Sequence, residues 1–208
     1  SSFSLIKDYT ILFTQDELAI AEIRKIRRGI RYNPKELKKF EKKFKSGLPA
    51  SLKDKKKLSE RTGLGWWILN EHEKARKEFK KAGTDIAHCF YALSFKDEGN
   101  IDEGIAYLDS LPKKEANGKN VMTTKATLLF LRSRVEQGMP LIKQLEKKHT
   151  DDSEVMTLKA MYAEETGDPQ TALDIYQKIL ETEPANEDVL FYCSQLLDRF
   201  GADQQALH

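Results

Sequence analysis

The chain reads as an all-α protein built of stacked helix-turn-helix units behind an extra helical N-terminal segment. Three observations predict this. Small residues recur at Gly104, Gly138, Ala172 and Ala206, each 34 residues after the last. Eleven Gly and six Pro in 208 residues are too few turn formers for a protein of many short strands. Hydrophobic residues at 39% give the chain enough apolar surface to fold, and no apolar run approaches the length of a membrane-crossing helix.

The first 55 residues read as a basic helical segment. Thr14-Gln15-Asp16-Glu17 has the form of a capping box. The helix it is expected to open carries Leu18, Ile23, Ile26 and Ile30 at helical spacing. Arg24, Lys25, Arg27, Arg28 and Arg31 surround that stripe. Asn33-Pro34-Lys35-Glu36 starts a second helix, with Asn as cap and Pro in the first turn. Leu37, Phe40 and Phe44 form its stripe, Gly47 and Pro49 end it, and Ser51 is expected to cap a third. Two readings stand side by side. The helices are a degenerate repeat pair that caps the stack, or they are a basic arm. In the second reading Phe40 and Phe44, set among Lys38, Lys39, Lys42, Lys43 and Lys45, resemble the aromatic-cation mix that grips nucleic acid or an anionic surface.

From residue 56 onward the 34-residue register runs through several columns. Ala75 leads the small column by 29 residues. Five residues before each small residue stand Asn70, Gly99, Ser133, Gly167 and Gly201, where a turn is expected. Twelve before stand Gly63, Ala92, Ala126, Ala160 and Ser194, which let paired helices approach. Four after come Phe79, Leu108, Ile142 and Tyr176, and seven after come Ala82, Leu111, Leu145 and Ile179. The register divides the chain into units at 56–84, 85–118, 119–152, 153–186 and 187–208. The fifth reaches only the start of a second helix, as expected of part of a longer repeat protein.

These columns resemble the tetratricopeptide repeat family over about residues 56–208, most closely at Ser153–Pro184. The resemblance implies a right-handed superhelix whose concave face holds a peptide or helix of another protein. Carried over residue by residue, the family's concave positions give an apolar track of Phe90, Leu93, Phe130, Leu158, Met161, Phe191 and Tyr192. Glu164, Glu165, Asp188 and Asp198 form its acidic rim. The Lys/Asn/Arg set that clamps a C-terminal carboxylate in chaperone-type members is absent, so an amphipathic segment with basic flanks is the expected partner. Trp66 lies in a column that the repeat buries, and Trp67 is the better candidate to face the groove.

The net charge of +2 conceals a segregation. Residues 1–83 hold 22 Lys/Arg against 11 Asp/Glu, and residues 84–208 hold 13 against 22. Such halves suit association and steering. Self-association is one expectation, with the basic segment of one copy on the acidic groove of another. Nucleic-acid binding by the basic half is a rival. Catalysis is not expected, because no phosphate-binding glycine loop, nucleophile elbow or His-Glu-x-x-His occurs. His72, His88, His149 and His208 are scattered, and Cys89 and Cys193 read as free, packed thiols. No cofactor and no metal are expected, the partner is a protein, and the location is cytoplasmic.

Overall fold

A computed structural model describes residues 9–47 and 51–206. Every regular element among them is a helix, and thirteen follow one another. Two compact units divide at Val121 and Met122.

The first unit opens with the short α1 (Ile11–Thr14), α2 (Ile20–Tyr32) and α3 (Pro34–Lys45). Ile23, Ile26 and Ile30 are buried along α2, as the spacing predicts. The expected capping box at Thr14 is not formed. Thr14 closes α1 and its hydroxyl donates back to the Thr10 carbonyl at 3.0 Å, while α2 begins six residues later with Ala19 as its cap. Leu18 is buried ahead of the helix. Asn33 does cap α3, accepting from the Lys35 amide, and Gly47 leaves it at φ +90°. Pro49 lies outside the described residues. The third helix, α4 (Lys55–Ile68), is capped by Asp54 rather than Ser51, because the aspartate accepts from the Lys56 and Lys57 amides.

α4 is the centre of this unit. It is buried on several sides, which explains its lack of a polar face. Its Gly63 and Gly65 admit rings from two directions. A Cβ on Gly63 would lie 2.6 Å from the Phe79 ring, and one on Gly65 would overlap Phe44. Around it pack α5 (His72–Ala82) and α6 (Asp85–Asp97), with α7 (Ile101–Asp109) against α6. A single turn, α8 (Lys113–Ala116), follows. Arg61 of α4 is only 1% exposed. Its guanidinium donates to the carbonyls of Leu12 (2.9 Å), Gln15 (2.5 Å) and Asp16 (2.7 Å) and to Glu60 (2.8 Å). Glu60 in turn accepts from the Thr84 hydroxyl. The N-terminal residues are thereby sewn to the first repeat by one buried cation.

α9 (Lys119–Leu131) carries the chain across the division. The second unit contains α10 (Val135–Lys148), α11 (Ser153–Glu165), α12 (Pro169–Thr182) and α13 (Glu187–Ala206). One core gathers Met122, Ala126, Phe130, Ile142, Leu145, Val155 and Leu158. A second gathers Ala160, Ala163, Ala172, Tyr176, Ile179, Val189, Cys193 and Leu196.

The repeat columns are realised at atomic detail. Ala75, Ala92, Ala126, Ala160 and Ala172 have no exposed surface. Asn70, Gly99, Ser133 and Gly167 all adopt left-handed backbone, with φ between 56° and 83°. One residue on, the amides of Glu71, Asn100, Arg134 and Asp168 donate to the carbonyls of Trp66, Phe95, Leu129 and Ala163 at 2.8–2.9 Å. Every complete unit therefore ends its first helix in the same left-handed, glycine-type cap. The fifth departs from the prediction. Gly201 lies within a continuous α13, and no turn forms there. In the earlier units a second helix packed on the first rewards the reversal. Among the described residues α13 instead keeps its hydrogen-bond ladder through Gly201 to Ala206.

Candidate interaction surfaces

Two surfaces emerge, one on each unit, and neither is quite the one the sequence suggests. The apolar track is largely spent on packing. Phe90 is fully buried, with its ring 4.7 Å from that of Trp67 and 6.4 Å from that of Phe79. Phe130 and Leu158 lie within a core, and Leu93 is half-buried. Phe90, Phe130 and Leu158 are thus corrected from groove residues to core residues, since the helices approach closely enough to enclose them. Met161 packs on the edge of the same core as Phe130.

The accessible part of the track is on α13. Six large apolar side chains are exposed among the described residues, and Leu190, Phe191 and Leu197 are three of them. Phe191 is the most open of these at 59%. Tyr192 is half-buried, its ring 6.2 Å from that of Tyr176 and 6.1 Å from that of Phe191. Asp188, Phe191, Gln195 and Asp198 fall on one stripe of the helix, at spacings of three and four residues. Asp198 is exposed and Asp188 half-buried.

The rest of the acidic rim divides. Glu165 is open to solvent. Glu164 is not a solvated rim charge, because it accepts from the Tyr176 hydroxyl at 2.6 Å and pairs with Arg199 of α13. Burial and that hydrogen bond push the Tyr176 phenol well above its ordinary range. Glu164 thus ties α11, α12 and α13 together.

On the first unit the basic residues also sort into two classes. Arg27 is structural: it donates to the Asn70 side chain at 2.7 Å, lies 3.6 Å from Asp97 and covers the Trp67 ring at 4.3 Å. Burial pulls its guanidinium below the ordinary value, and Asp97 opposes that. Arg31 donates to the Ile68 carbonyl at 2.9 Å. Lys38, Lys39, Lys42 and Lys43 are exposed along α3, with Arg28 exposed and Arg24 and Lys25 half-buried on α2.

Phe40 and Phe44, the aromatic half of the nucleic-acid reading, stack on each other at 5.7 Å and face inward against Tyr9, Phe13 and Trp66. They offer no platform for bases. The tryptophans exchange their expected roles. Trp67 is 3% exposed and its indole donates to Asp97 at 2.7 Å. Trp66 is half-buried at the floor of a hollow of about 500 Å³, lined by Lys74, Lys77, Glu78, Lys80 and Lys81 of α5. The sequence offers only the lysine spacing along α5 as a sign of this hollow.

The histidines and cysteines do not converge on either surface. His88 Nδ1 lies 2.7 Å from the Tyr107 hydroxyl, whose phenol burial pushes up to about 12. His72 opens α5. Cys89 and Cys193 are buried free thiols, as the sequence predicts.

No described helix is long and apolar enough to cross a membrane. No curated protein matches the chain. Residues 91–206 match the family described as Psidin, N-terminal TPR repeats region. Tetratricopeptide repeats generally mediate protein–protein interaction. The match spans more than half of the sequence and includes the left-handed caps at Gly99, Ser133 and Gly167, so the chain belongs to this family of tetratricopeptide repeat regions.

Proposed function

We propose that the chain is a non-catalytic interaction module that holds an amphipathic helix of a protein partner against α13. The observation that carries this reading is the exposure of Leu190, Phe191 and Leu197 on one helix, Leu190 and Leu197 along one line of it and Phe191 about 100° around from them. Apolar patches of this kind mark interaction sites. A central aromatic supplies most of the binding energy at such a surface, and carboxylates around it set orientation and association rate. Glu165, Asp188 and Asp198 supply those carboxylates, which favours a partner with lysine or arginine flanking its apolar stripe.

The test is titration of a labelled, lysine-flanked Leu/Ile amphipathic peptide into the protein, read by fluorescence anisotropy. Binding is expected for the wild type. Removing the aromatic anchor in Phe191→Ala should weaken it about thirtyfold. Both side chains are exposed, so neither Phe191→Ala nor Leu197→Ser should alter the helical signal. Equal affinity of wild type and both variants would show that α13 is the wrong surface.

A further inference from the structure

The lysine hollow on the first unit and the open stripe on α13 have matching chemistry. We propose that they bind each other between copies. The Trp66 hollow of one molecule receives the Phe191–Asp198 face of α13 from another, giving head-to-tail assembly. This rests on the reading of α13 as a binding face and names its partner as a second copy of this chain.

The hollow selects carboxylates on an apolar anchor. Its wall carries four ammonium groups against Glu78, which lies 3.5 Å from Lys81. The Lys74 ammonium sits 4.6 Å from the centre of the Trp66 ring, and the Phe44 ring lies nearly perpendicular to it at 4.9 Å. An aromatic side chain entering here meets both an apolar floor and a cation to lie against. The site lacks what phosphate recognition favours. No arginine fork faces it, because Arg76 is turned to Ser94, Glu98 and the Phe95 ring. The lysines run the length of α5, from Lys74 in its first turn to Lys80 and Lys81 in its last, and do not converge on one point. Lysines are dispersed point charges suited to scattered carboxylates.

The chain carries such a ligand. Residues 149–208 hold three Lys/Arg against thirteen Asp/Glu, a net of −10 in the part that contains α13. The spacings also agree. Phe191 and Asp198 are seven residues apart, and so are Lys74 and Lys81. On two helices laid side by side each pair spans about 10 Å. With Phe191 over Trp66 and Lys74, Asp198 reaches Lys81 and Gln195 lies beside Lys77. The two surfaces are different patches of the molecule, so the contact is heterologous and propagates as an open chain or closes as a ring.

Sedimentation velocity over a range of concentrations, at about 0.05 M and about 0.5 M salt, tests this. Mass is expected to rise with concentration at low salt and to fall back towards the monomer at high salt. A hollow variant, Lys77→Glu with Lys81→Glu, should be monomeric. So should a stripe variant, Asp188→Lys with Asp198→Lys. Mixing the two should restore association, because the intact lysines of one meet the intact carboxylates of the other. Helical circular dichroism checks that both variants fold.

A monomer under all conditions, or association that neither charge reversal weakens, overturns the proposal. So does binding of single-stranded RNA at the lysine hollow in place of a second copy. If the wild type is monomeric yet still binds the lysine-flanked peptide through Phe191, the self-assembly fails and the reading of α13 stands. If it does neither, both fail.

Discussion

The two units are held together by different means. In the first, contacts between residues far apart in sequence do much of the fastening. Arg61 reaches carbonyls 45 to 49 residues away, Arg27 reaches Asn70, Arg31 reaches Ile68, and Trp67 reaches Asp97. In the second, the two cores join residues of the same or the adjacent repeat, through small residues facing large apolar ones. Where each helix has a neighbour in register, the register does most of the fastening, and Glu164 adds one polar tie among α11, α12 and α13. Where a non-repeating segment must join the stack, polar and aromatic ties between specific side chains do the joining.

The largest test of this contrast is Arg61→Met. It strands Glu60 in the interior and leaves three carbonyls without their donor. Losing one partner of a buried pair costs about 3–5 kcal/mol. Both tryptophans lie in the first unit. Denaturant unfolding followed by tryptophan fluorescence should therefore shift strongly, while the part of the circular dichroism signal arising from the second unit holds its midpoint. The mirror experiment is Gly138→Ala. The new Cβ would lie 2.6 Å from the Phe130 ring, inside the second unit. Overpacking outweighs the gain in helix propensity, for a net loss of about 1–2 kcal/mol. Here circular dichroism should move and tryptophan fluorescence should not.

A smaller effect is expected from pH. Burial holds the His88 imidazole below its ordinary 6.5, against the pull of Glu115, Asp85 and the Gly83 backbone. The unfolded chain then takes up the proton first, so this part of the first unit's stability is present above about pH 6.5 and is lost as pH falls from there. The tryptophan-detected midpoint should drop on acidification through pH 6, and His88→Phe should flatten that dependence. The smallest change compares two turns. Ser133 and Asn70 both hold left-handed backbone without being glycine. Ser133→Gly should stabilise the second unit by up to about 1 kcal/mol. Asn70→Gly should gain nothing, because it also loses the hydrogen bond from Arg27. A gain at both positions would show that the Arg27 tie contributes little.

What periodicity could reveal, it revealed accurately. The small column, the turn column and the apolar columns mark out the helix pairs, because each reports contacts within a repeat or with its neighbour. The failures have a common cause. Thr14, Ser51 and Gly201 carry the local pattern of a helix boundary, yet the boundary is set by what packs nearby. Phe90 and Trp67 occupy positions where only the actual closeness of neighbouring helices decides between core and surface. Arg61 gives no signal, since nothing in its surroundings marks a guanidinium destined for carbonyls near residue 15. The candidate site was legible in part. Phe191, Tyr192 and Asp198 follow from the concave positions that the family resemblance implies, whereas the Trp66 hollow emerges only once α3, α4 and α5 are placed.

The Arg61 hub also orders events in time. During synthesis the segment around Gln15 must wait for a residue 46 positions later. At about 5–20 residues per second, that is a delay of a few seconds. For that interval Leu12 and Phe13 are translated but have no interior to enter, and their exposure invites chaperone capture or misassembly. The repeats that follow need shorter waits, because each helix finds its partner within a few tens of residues. In a chain made vectorially, the segment around Gln15 is made first and fastened late.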